Sequence, residues 1–414
     1  MAVLKKEILM PLKLEKYQGT RVILVRHGES TYNELGLYQG SSNESVLTET
    51  GCRMARQTGA FLSGLSFDAV YVSSLQRAQQ TASEMLATMT PLVDSKTIHV
   101  TKALSETDLP AWHGLPFQYV KEHFAADYQC WKQRPHEFRM ELPFSNVWGK
   151  HTQQYCYPAL DLYNRIQQFW QKVLPCHQGQ TILIIAHGGT NRALISTAMG
   201  VTPDRYHTIE QSNCGISILN FPIDTEQPAQ LQVLNLTTHV GETLPKIKND
   251  GIRLLLIPSG KVNQELAQLL KQTTINFSIN STSDNSRITA QQILKYHPET
   301  VQLEVLREDF PEVWLQSIQA KNYLINSSQI ITGLVIASDA ILKHIIVQTL
   351  GMNYEKISQL QLHENTISSI YYPDTQHPPV LQAVNISASE QEIIFDSSLT
   401  QKQRIYSRNL IQTS

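Results

Sequence analysis

Hydrophobic positions along the chain fall into two alternating patterns. Short apolar runs rich in β-branched residues occur at Arg21–Val25, Ala69–Val72 and Thr181–Ala186, and a more polar strand is expected at Ile98–Leu104, each passing into a turn of small or polar residues. Continuous runs of this kind suit strands covered on both faces. Between them the spacing turns helical: Thr50–Leu62, opened by the turn residues Leu47–Gly51; Arg77–Met89, with Ser74 or a neighbour as its N-cap; and Asn191–Met199. Strands at Gly215–Asn220 and Leu231–Leu236 close the series. Such alternation predicts an α/β sandwich around a largely parallel sheet.

The pattern breaks twice. From Pro110 to Gln180 it becomes aromatic-rich, with helices expected at Tyr119–Ala126 and Leu160–Val173, and this stretch reads as a cap inserted over the sheet. Near Thr243–Gly251 it gives way to a Pro-, Thr- and Lys-containing linker, after which apolar runs resume. With 414 residues the chain is too long for one ordinary core. The expected division is a tail over 1–19, a first domain over 20–245 with its cap at about 110–180, and a second domain over 246–414.

Composition adds exclusions. The formal charge of −2 gives no electrostatic case for nucleic acid or an anionic membrane as partner, so any anion site has to come from a few local Arg and His residues. Cys52, Cys130, Cys156, Cys176 and Cys214 are scattered, with no CxxC pair, which fits free thiols in a reducing cytosol and argues against a disulfide framework or a zinc ribbon. A cytoplasmic location is therefore expected, and sequons such as Asn235–Thr237 carry no weight there. Met1–Gln18 mixes four lysines with short apolar pieces and lacks the core of a signal peptide. It reads as a partly ordered tail, with an organelle-targeting remnant as the alternative. No later stretch approaches a membrane span.

The chemistry sits at strand ends. Arg26-His27-Gly28 and His187-Gly188 each follow directly on a buried strand, and loops at the carboxyl ends of neighbouring strands converge on one crevice. A neutral imidazole is a competent nucleophile toward phosphorus, and two displacements divide one high barrier into two lower ones. Phosphoryl transfer also needs cations around the equatorial oxygens, a need that Arg26 and Arg77 meet with bidentate guanidinium groups.

These residues resemble a known family. Leu24-Val-Arg-His-Gly-Glu-Ser30 followed by Asn33 is similar to the signature of the histidine phosphatase, or phosphoglycerate mutase-like, superfamily. Tyr71–Ala82 resembles its second arginine motif and Ala186-His-Gly-Gly189 its second histidine motif, in the family's order. The resemblance implies a three-layer α/β/α phosphoglycerate mutase-like fold and a phosphatase that needs no cofactor. It also implies roles. His27 would carry the phosphoryl group; Arg26, Arg77, His187 and the Gly188 N–H would cradle it. Asn33, Ser30 and Gln39 would line the substrate pocket, and Glu106 would be the proton donor. No metal enters this scheme, and the chain offers no HExxH motif or carboxylate cluster for one. Two departures, Trp112-His113-Gly114 after the acid and Ser74 in place of a usual proline, bear on substrate choice more than on activity.

The partner so implied is a small phosphorylated metabolite. The stretches Leu104–Trp112 and Tyr206–Gly215 look most like the 2-carboxy-D-arabinitol-1-phosphatase group, which points to a sugar phosphate. Cap residues Arg134, His136 and Arg139 are candidates to hold a substrate carboxylate. Phosphoglycerate mutase activity, phosphoserine hydrolysis and a phosphate-sensing regulatory role stand as alternatives.

The C-terminal part contains an echo of the first domain. Arg253–Gly260 parallels Arg21–Gly28, and Gly333–Ser338 parallels Ile182–His187. Pro258 then stands for Arg26, Ser259 for His27 and Ser338 for His187; more weakly, Arg287 matches Arg77 and Leu306–Glu308 matches Leu104–Glu106. A second, degenerate α/β domain follows from this reading, inactive in phosphoryl transfer. A structural, homodimer-forming or effector-binding role is compatible with it.

Overall fold

The computed structural model describes residues 17–142, 155–223, 227–247, 251–260, 264–306, 330–373 and 377–387, together with Leu12 and Leu14. The N-terminal half is built on β1 (Thr20–Arg26), β2 (Ala69–Ser73), β3 (Ile98–Thr101), β6 (Thr181–Ala186), β7 (Ile216–Phe221) and β8 (Gln230–Leu236). A separate short pair, β4 (Met140–Glu141) and β5 (Tyr155–Cys156), belongs to the cap. The main strands run in the order β3-β2-β6-β1-β7-β8. β1, β6, β2 and β3 are mutually parallel, and β7 and β8 add antiparallel to one side of β1. The sheet is thus mixed, where the sequence suggested a largely parallel one.

Period-two alternation explains why both faces are covered. Val22, Leu24, Ile182 and Ile184 pack into the core beneath α6 (Pro158–Val173) and α7 (Gly188–Met199). Their neighbours Ile23, Val25, Leu183 and Ile185 pack on the other face, against Ala55 and Phe61 of α2 (Glu49–Phe61) and Ala78, Ala82 and Met85 of α3 (Gln76–Leu86). Two differences from the sequence reading have local causes. The N-cap of α3 is Leu75, with no side-chain cap, because Ser74 Oγ is engaged by Ser105 instead. The single helix expected at Tyr119–Ala126 is two, α4 (Phe117–His123) and α5 (Ala125–Gln133), broken at Phe124, whose ψ of 40° departs from helical geometry.

The C-terminal half repeats this topology. Its strands β9 (Ile252–Pro258), β10 (Phe277–Ser281), β11 (Val301–Val305), β12 (Ile331–Ala337), β13 (Thr366–Tyr372) and β14 (Val380–Ser387) run β11-β10-β12-β9-β13-β14. Helices α8 (Gln264–Leu270) and α9 (Asp284–Leu294) cover one face, and α10 (Asp339–Thr349) covers the other. β14 pairs antiparallel with β8 through Val384 and Leu234, so both halves share one 12-stranded sheet with pseudo-twofold order. The junction is reciprocal: Asn235 Nδ2 donates to the Gln382 carbonyl at 2.9 Å, and Asn385 Nδ2 donates to the Gln232 carbonyl at 2.7 Å. Both asparagines sit at φ 56°, in the left-handed region that Asn tolerates better than most residues.

Candidate active site

Because β1 and β6 are parallel neighbours paired through Arg26 and Ala186, His27 and His187 emerge side by side. Their rings lie 5.2 Å apart, centroid to centroid, and both are buried. β2 lies on the far side of β6 and ends at Ser73, within reach of the same spot.

Each imidazole has one nitrogen fixed from behind. His27 Nδ1 lies 2.7 Å from the Gly28 carbonyl, a pure acceptor, so Nδ1 carries the proton and Nε2 the lone pair. His187 Nε2 lies 2.7 Å from Ser73 Oγ, while its Nδ1 is buried with no partner among the described residues. Ser73 Oγ also accepts from the Leu75 N–H, and a hydroxyl has one hydrogen and a second lone pair to offer the imidazole, so this contact fits either tautomer of His187. Burial, then the guanidinium charges of Arg77 and Arg26, holds the His27 pKa well below its ordinary value. Burial, then Arg77 and His27, does the same to His187. Both rings are therefore neutral near pH 7, and His27 presents its Nε2 lone pair.

The two arginines are cations without counter-ions. Arg77, at the start of α3, is fully buried and donates to the carbonyls of Ser42 and Gly40, each at 2.8 Å. Arg26 donates to the Gln211 carbonyl at 2.6 Å. The Nε of each is buried and unpartnered, and neither has a carboxylate within salt-bridge distance among the described residues. Burial lowers both pKa values, that of Arg77 to about 10, and both groups stay charged near neutrality. Burying an uncompensated charge costs several kcal/mol, and a bound anion would offset that cost.

Glu106 faces this cluster from the turn after β3. Its oxygens accept from the backbone N–H groups of Thr107 (2.8 Å), Gly189 (2.9 Å) and Thr190 (3.0 Å), the last two at the start of α7, where the helix dipole favours an anion. Glycine at 189 is obligatory: a Cβ there would lie 2.2 Å from the Tyr206 hydroxyl and 2.4 Å from Glu106 Oε1. Arg26, His27, Arg77 and Glu106 open on one cavity of about 510 Å³, lined also by Asn33, Gln39 and Gly188; His187 is buried beside His27 and is not among the lining residues.

Not every expected residue lines that cavity. Ser30 is fully buried behind it, where its Oγ caps α1 (Thr31–Glu34) and donates to Asn33 Oδ1 and Gln39 Oε1, each at 3.0 Å; it places those two side chains. The cap residues Arg134, His136 and Arg139 lie elsewhere. Arg134 and His136 pair with Glu137, and Arg139 stacks on Tyr155. The cations that the cap and α7 do bring to the cavity are Lys121, Lys132 and Arg192. Two further residues escaped the sequence reading. Asn213 Nδ2 ties together the carbonyls of His27 and Gly28 and Asn33 Oδ1. Arg165 holds the Ser105 carbonyl at 2.5 Å from α6. A cation beside the apolar stripe Leu162–Ile166–Phe169 is the trace it leaves in the sequence.

The matching place in the C-terminal half keeps the frame and carries other side chains. Ser259 N–H donates to the Ala337 carbonyl at 2.8 Å, as His27 N–H does to Ala186 at 2.9 Å. Gly260 N–H donates to Thr289 Oγ1, as Gly28 N–H does to Thr81 Oγ1. This register puts Asn285, not Arg287, opposite Arg77. Arg287 lies further along α9 and pairs with Glu304 on the exposed side. Positions 307 and 308 of the suggested acid motif lie outside the described residues.

The chain is similar to several known proteins. A 2-carboxy-D-arabinitol-1-phosphatase of Triticum aestivum is 36% identical over 51% of this chain and 38% of its own length, so the chain spans well under half of that relative. Phosphoserine phosphatase 1 of Hydrogenobacter thermophilus is 28% identical over 54% of this chain and 95% of its own length. Among solved structures, a phosphoserine phosphatase of Entamoeba histolytica bound to 3-phosphoglyceric acid aligns with TM-score 0.42 and 24% identity, over 53% of this chain and 99% of that one. Residues 22–235 match the family model of the histidine phosphatase superfamily (branch 1), and the chain belongs to that superfamily.

Proposed function

We propose that the chain is a phosphomonoesterase that works through a phosphohistidine at His27. The observation that carries this reading is a buried, neutral His27 with Nδ1 tied to Gly28, set beside the guanidinium groups of Arg26 and Arg77, whose Nε atoms are buried without a partner and which make no salt bridge among the described residues. His27 Nε2 attacks phosphorus as the P–O bond to the leaving alcohol breaks, and Glu106 supplies the proton that alcohol needs. Arg26, Arg77, His187 and the Gly188 N–H hold the equatorial oxygens throughout. Water then attacks the phosphohistidine, Glu106 takes its proton, and inorganic phosphate leaves from Nε2. Asn33 and Gln39 face the substrate. The C-terminal half, with Pro258, Ser259, Asn285 and Ser338 at the matching positions, carries out no phosphoryl transfer.

The substrate is a small sugar phosphate, with 2-carboxy-D-arabinitol 1-phosphate the first compound to try; the wheat relative supports this order. Phosphoserine comes second, supported by the bacterial relative that the chain matches along nearly its whole length. Trapping in alkaline SDS during turnover of a 32P-labelled phosphomonoester tests the reading. Wild type is expected to yield acid-labile, base-stable phosphoprotein, and His27→Ala none. Equal labelling of the two proteins would refute the assignment of His27.

A further inference from the structure

The cavity above His27 does not end at the N-terminal half. A second cavity of about 360 Å³ adjoins it, and Lys121, Tyr128, Lys132, Arg192 and His207 belong to the walls of both. Its opposite wall comes from the C-terminal half, with Tyr371, His377 and Gln382 from the β13–β14 region. Resting on the phosphatase reading above, we propose that this junction is a second anion subsite, which selects phosphorylated polyhydroxy compounds carrying a second anionic group, a carboxylate or another phosphate, remote from the phosphoryl group transferred to His27.

Charge is the first ground. Lys121, Lys132 and Arg192 face the shared space, and none has a carboxylate within salt-bridge distance among the described residues. Lys246 also lines the outer cavity but is paired with Glu242. Glu210 is the one carboxylate among the described lining residues, so the wall remains cationic. Lys132 is half-buried, and burial followed by the charge of Arg192 brings its pKa down to about 8, against a partial opposing pull from Glu210. This strain is local, and a ligand anion would relieve it.

The second ground is how the C-terminal half shapes the place. β14 is hydrogen-bonded to the loop 208–210: Glu210 N–H donates to the Leu381 carbonyl at 2.9 Å, and Leu381 N–H to the Thr208 carbonyl at 2.7 Å. Arg192 Nε donates to the Ile209 carbonyl of that same loop at 2.7 Å. A strand of the catalytically empty half thus fixes the loop that aims Arg192.

The test uses a matched pair that differs only at the far end: 6-phosphogluconate, with a terminal carboxylate, against glucitol 6-phosphate, with a terminal hydroxymethyl. Titration calorimetry on the full chain bearing His27→Ala measures binding without turnover. The carboxylate probe is expected to bind at least about tenfold tighter, the worth of one charge-assisted contact. Adding Lys132→Gln should bring the preference to within about twofold, and adding His377→Glu, which sets a negative charge in the C-terminal wall, should lower it about fivefold. A hexitol 1,6-bisphosphate in the same series tells whether a second phosphate serves as well as a carboxylate. Equal affinity for the two matched probes, no binding of either, or a preference unchanged by Lys132→Gln would each overturn the subsite. Failure of the phosphatase reading shows separately, as absent phosphohistidine in wild type, and leaves the binding ratios to stand on their own.

Discussion

The two halves of the sheet share strand order, helix placement and even the two backbone hydrogen bonds that seat the loop after the first strand, yet the side chains at the end of that strand and its neighbour differ. In the N-terminal half that loop is followed into the core by two histidines and two unpaired guanidinium groups. In the C-terminal half, proline, two serines and an asparagine occupy the same places. The contrast separates what builds the crevice from what acts in it. Parallel pairing of the first and fourth strands of each half, and a threonine hydroxyl from the helix after the second strand, suffice for the backbone shape. The arginines also hold the carbonyls of Ser42, Gly40 and Gln211, but a neutral donor could do that without the desolvation cost of a buried charge, which a bound anion would offset.

Three experiments would break or sharpen this contrast. The largest effect is expected at the pair Arg77 and Asn285. Arg77→Met should lower kcat/KM by about a thousandfold, since it removes one of two cations from the transferring phosphoryl group. Asn285→Ala, at the matching position, should change it less than about twofold. Comparable losses from both, measured by steady-state hydrolysis of one substrate, would mean that the halves are not functionally distinct.

Next is the acid. Glu106→Gln should slow hydrolysis of an alkyl phosphate by about a hundredfold, and that of an activated aryl phosphate by less than about tenfold, because a good leaving group needs no proton. Equal losses across leaving groups would assign Glu106 to holding α7 rather than to proton transfer.

The smallest effect concerns acid stability. His239, buried in the N-terminal half against Thr58 and Phe61, has its pKa lowered to about 3 by burial. His27, His187 and His207, also in that half, are shifted downward as well. In the C-terminal half the strongest such shift is that of His363, to about 4. A histidine whose folded pKa is depressed contributes stability that is complete above its unfolded value of about 6.5 and is lost as pH falls toward the folded value, by up to roughly 4 kcal/mol for His239. Hydrogen exchange followed from pH 7 to pH 4 should therefore show β1 and β6 losing protection ahead of β9 and β12. The reverse order would mean that buried histidines do not set the acid response.

Much of the site was legible because its motifs abut strands whose limits the apolar runs define. The run Thr181–Ala186 coincides with β6, and from two such strands the adjacency of His27 and His187 follows. What the sequence left obscure was direction. Arg134, His136 and Arg139 are basic and lie in the cap, but a neighbouring Glu137 and Tyr155 draw them away from the cavity. Lys132 and Arg192 point into it, and nothing in their immediate sequence marks them. Arg287 was matched to Arg77 by residue type; the threonine hydrogen bonds at Thr81 and Thr289 set a register in which asparagine takes the place. Backbone register is decided by pairing across the sheet, which no local sequence window contains.

The reciprocal asparagine junction has a consequence for aggregation. Strands at the edge of a sheet expose unmatched N–H and C=O groups and invite other chains to add to them. Here β8 and β14 conceal each other's edges, and with them the buried apolar residues Leu231, Val233, Leu381 and Val384. A fragment ending after β8 would bare a long, flat, apolar edge, and the cheapest cover within reach would be the same edge of another copy. The fused second half supplies that cover at fixed one-to-one stoichiometry, independent of how dilute the protein becomes.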